Sequence, residues 1–211
     1  MTAPLLAPDK LEALQELVNI GMGAAGAALA NALGTFVELA VPSLDLTDRR
    51  SVASLLDGGT WAEHEVEAVR QPFFGAFTGE SLMLFDGQVH AQLATMLGYT
   101  VDTAVQPTAE QRHEVLLDLA NVVIGACVNG VAEPLGEVVS FAPPTRLGSR
   151  DDLRSFLTRD AAAWHQGLVV NVDFKLEGRA FKSRVLAFLP EHSLRRIDGS
   201  LTRLLDDLAA S

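Results

Sequence analysis

The sequence predicts an α/β fold: two duplicated helix-strand-strand-strand-helix units, related by a pseudo-two-fold, around a β-sheet, with two long helices on the surface. Three observations predict it. Residues 17–42 (LVNIGMGAAGAALANALGTFVELAVP) and 119–144 (LANVVIGACVNGVAEPLGEVVSFAPP) align without a gap at a constant offset of 102, with ten of 26 positions identical. Both segments are followed by strand-like apolar runs in the same order. The second unit closes its strands with a hairpin pattern, LVVNVDFKLEGRAFKSRVLAFL, turning at Leu176-Glu177-Gly178-Arg179.

In chain order, the first helix is expected to start near Pro8-Asp9 and run through the glycine-rich segment. A strand follows in TFVELAVPSLDL, then a variable stretch at 47–64. Two strands are expected at 65–77 and 80–85, and a helix at 87–98 (GQVHAQLATMLG). TVDTAVQPTAE, 100–110, joins the units. The second unit repeats the succession: a long helix, a strand in EVVSFAPPTRL, a variable middle at 146–167, strands at 168–176 and 180–189, and a helix at 191–209. This gives one domain of two repeats, about 9–98 and 110–209, with at least six strands.

Composition narrows the function classes. The 211 residues are 48% hydrophobic, enough for a sizeable core, and carry a formal net charge of −11. That balance argues against nucleic acid, whose phosphates call for clustered Lys and Arg, and disfavours an anionic membrane surface. The N-terminus lacks a basic region followed by an apolar run, so neither a signal sequence nor membrane insertion is expected, and a cytoplasmic protein is. One cysteine allows no internal disulfide.

The two faces of the first helix differ. Leu11, Leu14, Val18, Met22 and Ala25 fall in one apolar stripe, expected to meet the core. Glu12, Glu16, Asn19 and Gly23 fall on another, which continues as Gly26, Ala27 and Ala30. The second helix repeats the division, with Leu116, Ala120, Ile124, Cys127 and Val131 inward and Glu114, Asp118, Asn121 and Gly125 outward. Glycine inside a helix costs about 0.5–1 kcal/mol relative to alanine. Two readings account for it: close packing of two helices of this chain, or a bare shelf that lets another backbone approach.

Glu16, Asn19 and Pro42, with Pro42 23 residues after Asn19, resemble the signature of the CheC/CheX/FliY family of bacterial chemotaxis phosphatases. The signature opens on Asp or Ser, where this chain has Glu12 and Glu114; in the second copy Asn121 and Pro144 are in place, and Asp118 stands where Glu is expected. NIGMGAAGAAL is similar to a CheC phrase, and the duplication and length resemble CheC in particular; FliY-type chains add a switch domain that this sequence does not include. The resemblance implies hydrolysis of the aspartyl phosphate of a CheY-like response regulator. It implies catalytic roles for Glu16, Asn19, Asp118 and Asn121, and binding roles for Glu12, Gly23, Glu114, Gly125, Pro42 and Pro144. It implies a CheD-like deamidase as a second partner, and no cofactor on this chain, since the regulator supplies Mg²⁺. An Asn amide can orient a water, and a carboxylate three residues earlier sits beside it on a helix, able to pair with a Lys of the regulator. Asp118 is one methylene shorter than Glu16, so the 16/19 pair is expected to be the stronger. A binding module that docks a regulator, a flagellar switch component or a CheD-like protein without hydrolysis is the alternative.

Other signals carry less. His64, His90, His113, His165 and His192 have no metal-ligand spacing. Cys127 lies on the core stripe, and GMGAAG sits inside a helix, unlike a phosphate loop. RLGSRDDLRSFLTRD, 146–160, reads as a solvated helix and loop, or as a basic docking patch.

Overall fold

The computed structural model describes residues 6–33, 36–47, 66–86, 108–147, 150–159, 166–176 and 179–210. The elements are α1 (Pro8–Leu33), β1 (Val37–Thr47), β2 (Val66–Gly75), β3 (Gly79–Asp86), α2 (Ala109–Ala132), β4 (Val139–Phe141), β5 (Thr145–Leu147), α3 (Arg150–Arg159), β6 (Gln166–Leu176), β7 (Arg179–Leu189) and α4 (Glu191–Ala209). The helix expected at 87–98 and the residues of the β6–β7 turn, 177–178, lie outside the described residues.

The fold is mixed α/β, with an antiparallel sheet of seven strands among the described residues. The order is β1-β6-β7-β3-β2-β4, with β5 also on β2. Each edge strand follows one of the two long helices, and β6 stands beside β1 as β2 stands beside β4. The halves of the sequence are therefore interleaved: β1 pairs with β6 of the later half, while β4 and β5 pair with β2 of the earlier half.

Both faces of the sheet are covered, which is why β3 is buried from Ser81 to Phe85 without alternation. On one face α1, α2 and α4 bury Leu14, Val18, Met22, Leu116, Ile124, Leu194 and Ile197 against Val69, Phe73, Met83, Phe85, Val170 and Val185. The inward stripe expected of α2 is buried at all five positions, and that of α1 at Leu14, Val18 and Met22. On the other face α3 places Leu153 and Leu157 over Ala68, Leu82, Leu84 and Phe188. The described part of 146–160 therefore covers the sheet with one face of α3, while Asp151, Asp152 and Arg154 stay exposed, as expected of a solvated helix. Its Arg146 pairs with Glu67 at 3.0 Å, and Phe156 lies under the Arg70 guanidinium, 5.3 Å from the ring centre.

By length and composition alone α2 could cross a membrane. Here it is the core helix of the domain, packed on α1 and the sheet, with its polar residues on the outer side. Thr108 starts it with a capping box: Thr108 Oγ1 accepts from the Gln111 N–H at 3.2 Å, and Gln111 Oε1 accepts from the Thr108 N–H at 2.9 Å. Gly136, at φ +69°, turns the chain out of the following turn toward β4. Burial pushes the Cys127 thiol up to about 12, so it is an inert core side chain.

The helix glycines divide into two kinds, those in close packing within this chain and those facing open space. A Cβ on Gly21 would lie 2.6 Å from the Ala126 carbonyl oxygen and 2.7 Å from Gly130 Cα, so Gly21 and Gly130 form the α1–α2 crossing. A Cβ on Gly26 would meet the Leu39 N–H nitrogen at 3.4 Å, because α1 lies close on β1 there. Gly26 is buried, which corrects its expected place on the outer shelf. At Gly23 and Gly125 a Cβ would meet nothing within 4 Å.

Beyond α2, Glu137 ties this layer to α4. It accepts from Arg196 at 3.0 and 2.8 Å, and this bond, opposed by partial desolvation, holds its carboxyl below the ordinary range. A carboxyl lowered on folding contributes stability above its unfolded pKa and loses it as pH falls through the folded value. Thermal melts of wild type and Glu137→Gln should therefore differ at neutral pH and converge as the solution is acidified below the ordinary carboxylate range.

Candidate functional site

The outer stripe of α1 is open: Glu12, Glu16, Asn19 and Gly23 are all exposed. On α2, Glu114, Asp118 and Asn121 are exposed and Gly125 is half-buried. Ile20, beside Asn19, is 60% exposed.

Neither asparagine dangles, and the reason lies in the edge strands. In β1 the pairing with β6 runs through Ala40↔Asp173 and resumes at Ser43↔Asn171, so Val41 and Pro42 together face one residue of β6. This is a bulge, and Pro42 has no N–H to offer to the ladder. The Val41 peptide is instead gripped by α1: Asn19 Oδ1 accepts from its N–H at 3.2 Å, and Gln15 Nε2 donates to its C=O at 3.4 Å. The spacing between Asn19 and Pro42 thus has a local structural cause.

The other edge is built alike but is interrupted. Phe141 pairs with Phe73 in β4, Thr145 with Arg70 in β5, and the residues between break the single expected strand in two. Pro143 and Pro144, consecutive and without N–H groups, account for the break. Pro143 stands at the repeat position of Val41, so no N–H is available there to Asn121. Gln71 takes over that task. It is 1% exposed, and its Nε2 donates to Asn121 Oδ1 at 2.7 Å and to the Ala142 carbonyl at 3.1 Å.

Backbone atoms decide which way each amide points. The Val41 N–H can only donate, so it must face Asn19 Oδ1. The Ala142 carbonyl can only accept, so Gln71 presents its NH₂ there and toward Asn121 Oδ1. In both cases the carbonyl end of the asparagine is held by the protein, which leaves the NH₂ for the outer side. Each site is thus an oriented hydrogen-bond donor, an acid three residues earlier, and a glycine four residues later with empty space over it. The sequence signature contains the acid, the asparagine and the proline. It does not contain Gln15, Val41 or Gln71. A polar residue in the apolar strand run VEAVRQPFF was the visible sign of the last.

Pro42 lies in the β1 bulge, and Pro144 is half-buried just ahead of β5. The two prolines shape the strands that carry the bulges. Among the described residues, no three His, Cys, Asp or Glu side chains gather as a metal site. His113 is half-buried on α2 and His192 contacts Thr78 Oγ1 at 3.1 Å; the other three histidines lie outside the described residues.

The antiparallel sheet thus carries two long helices whose acid–amide pairs are exposed. The chain matches no protein-family profile. Its fold is that of FliY and of the FliM middle domain. Thermotoga maritima FliY superposes with a TM-score of 0.71 at 18% identity, over 95% of this chain and 100% of that one. FliM from H. pylori, solved in a FliM–SpeE complex, gives 0.65 at 8% identity, over 94% of this chain and 97% of that one. H. pylori FliM in a FliG–FliM complex gives 0.62 at 9%, over 92% and 100%.

Proposed function

We propose that this chain is a phosphatase that hydrolyses the aspartyl phosphate of a CheY-like response regulator in chemotaxis signalling. The observation that carries the reading is the orientation of Asn19: its carbonyl fixed on Val41, its NH₂ outward, and Glu16 exposed one turn before it. An acyl phosphate is already activated, and the regulator brings Mg²⁺ and a Lys to the phosphoryl group. What remains is to place a water in line and hold the partner in register, which positioning alone can do.

In this reading the Asn19 NH₂ donates to one lone pair of a water, leaving the other aimed at phosphorus. The water oxygen forms the new P–O bond as the bond to the aspartyl oxygen breaks, and the aspartate leaves as a carboxylate. The water's protons go to the phosphate product and to solvent. Glu16 pairs with the regulator's Lys, and Glu12 adds charge along the same stripe. Gly23 leaves room for the partner's loops. Asp118, Asn121, Glu114 and Gly125 form the second site, weaker because Asp118 reaches less far. The duplicated signature also keeps a CheC-like role and a CheD-like deamidase partner within the proposal, and a cytoplasmic location follows from that of the regulators.

The test is a regulator carrying labelled aspartyl phosphate with Mg²⁺ present. Faster loss of label on adding this chain supports hydrolysis. Binding without faster loss supports the second reading, a docking module for a regulator or a switch component, which the likeness to FliM favours.

A further inference from the structure

The second site raises a question that its signature residues leave open. Pro143 stands where the 102-residue offset places Val41, and proline cannot supply the N–H that Val41 gives to Asn19. An unbraced amide on an exposed helix face would rotate about its side-chain torsions and present its C=O and NH₂ in turn. Gln71 prevents this from the opposite side of the bulge. It belongs to β2, 50 residues away in sequence, and reaches Asn121 at 2.7 Å. Its own amide is anchored on the Ala142 carbonyl at 3.1 Å.

Gln71 is an expensive residue to keep there. It is 1% exposed, and its Oε1 has no hydrogen-bond partner among the described residues. At the first bulge the residue facing Val41 and Pro42 is Val172, which is apolar and 1% exposed. A buried polar side chain thus faces the bulge that lacks an N–H for its asparagine, and an apolar one faces the other.

We propose that Gln71 is a positioning residue of the second site: braced on the Ala142 carbonyl, it holds Asn121 Oδ1 and turns the Asn121 NH₂ outward. The inference rests on the phosphatase reading for its catalytic consequence, and on the hydrogen-bond geometry for the positioning itself. It makes the 118/121 pair a prepared site of lower strength rather than a relic.

Two measurements test it, on Gln71→Met and on Gln71→Val, the latter copying the Val172 side of the first bulge. By NMR, the side-chain order parameter of the Asn121 amide should drop below about 0.6 in either variant, while that of Asn19 stays as in wild type. The same spectra report whether each variant is folded. In dephosphorylation of a labelled regulator, Gln71→Met in an Asn19→Ala background should lower kcat about tenfold with KM unchanged. In an Asn121→Ala background it should change neither constant. An Asn121 amide that stays ordered overturns the proposal. So does an unchanged kcat in the first background, or an equal loss in both. An Asn19→Ala chain with no activity above that of the Asn19→Ala/Asn121→Ala double variant overturns the catalytic role assigned to the second site. If wild type itself leaves the label untouched, the phosphatase reading fails, and the amide order parameter alone decides whether Gln71 positions Asn121.

Discussion

Asn19→Asp is expected to leave the protein folded and to slow regulator dephosphorylation about 100-fold. The substitution is nearly isosteric. A carboxylate oxygen still accepts from the Val41 N–H, so the α1–β1 contact survives and the melting temperature should stay near that of wild type. What vanishes is the outward NH₂, replaced by an acceptor that also repels the phosphoryl oxygens. Asn19→Ala should lose a comparable amount of rate while also leaving the Val41 N–H without its partner, at about 1–3 kcal/mol where the group stays dry. The pair of variants separates the two jobs of Asn19, bracing a bulge and presenting a donor. If Asn19→Asp keeps full rate, the outward NH₂ is not what acts on the substrate. The equivalent change at Asn121 should cost less, because the proposed function makes the 118/121 site the weaker of the two.

The second large effect is on stability, and it falls on two glycines two residues apart. Gly21→Ala places a methyl 2.6 Å from the Ala126 carbonyl oxygen and 2.7 Å from Gly130 Cα, both backbone atoms that cannot swing aside. The helices must separate, at about 1–3 kcal/mol, and larger side chains at Gly21 should prevent the native packing. Gly23→Ala meets nothing within 4 Å. It should stabilise the helix by about 0.5–1 kcal/mol through lower backbone entropy in the unfolded chain. Denaturant melts of the two variants should therefore move in opposite directions. A bulky Gly23→Trp should remain folded and lose regulator binding, because it fills the space over the site. Equal destabilisation by Gly21→Ala and Gly23→Ala would contradict the division of labour between them.

The cores of both long helices were readable from spacing, because a 3.6-residue period marks one face whatever lies against it. The β6–β7 hairpin was readable from its run of alternating and β-branched residues, and the pairing of Leu176 with Arg179 matches the expected turn. The sheet order was not. Nothing local in β1 says that its partner is β6, more than a hundred residues on, because strand pairing is settled by long-range packing. The break at Pro143-Pro144 could have been drawn from the missing N–H groups. The extent of the bare shelf was misjudged at Gly26, because periodicity gives the direction a residue faces without saying how close the neighbouring strand lies.

At the site, the sequence marked Glu16, Asn19, Asp118 and Asn121 through the repeat. It did not disclose what aims the two amides, since a backbone N–H has no letter of its own and Gln71 lies in another strand. α3 was legible as a solvated helix, with a docking patch of arginines as the alternative, but not as a cover of the sheet. Its two leucines, Leu153 and Leu157, are what fix it over the second face of the sheet.

The most direct measurement follows the half-life of the labelled aspartyl phosphate on a CheY-like regulator, with Mg²⁺ and the wild-type chain at a small fraction of the regulator concentration. The account predicts that the label disappears in full, with many regulators turned over by each copy of the chain. Loss limited to the spontaneous rate, with the regulator nonetheless bound, would contradict it.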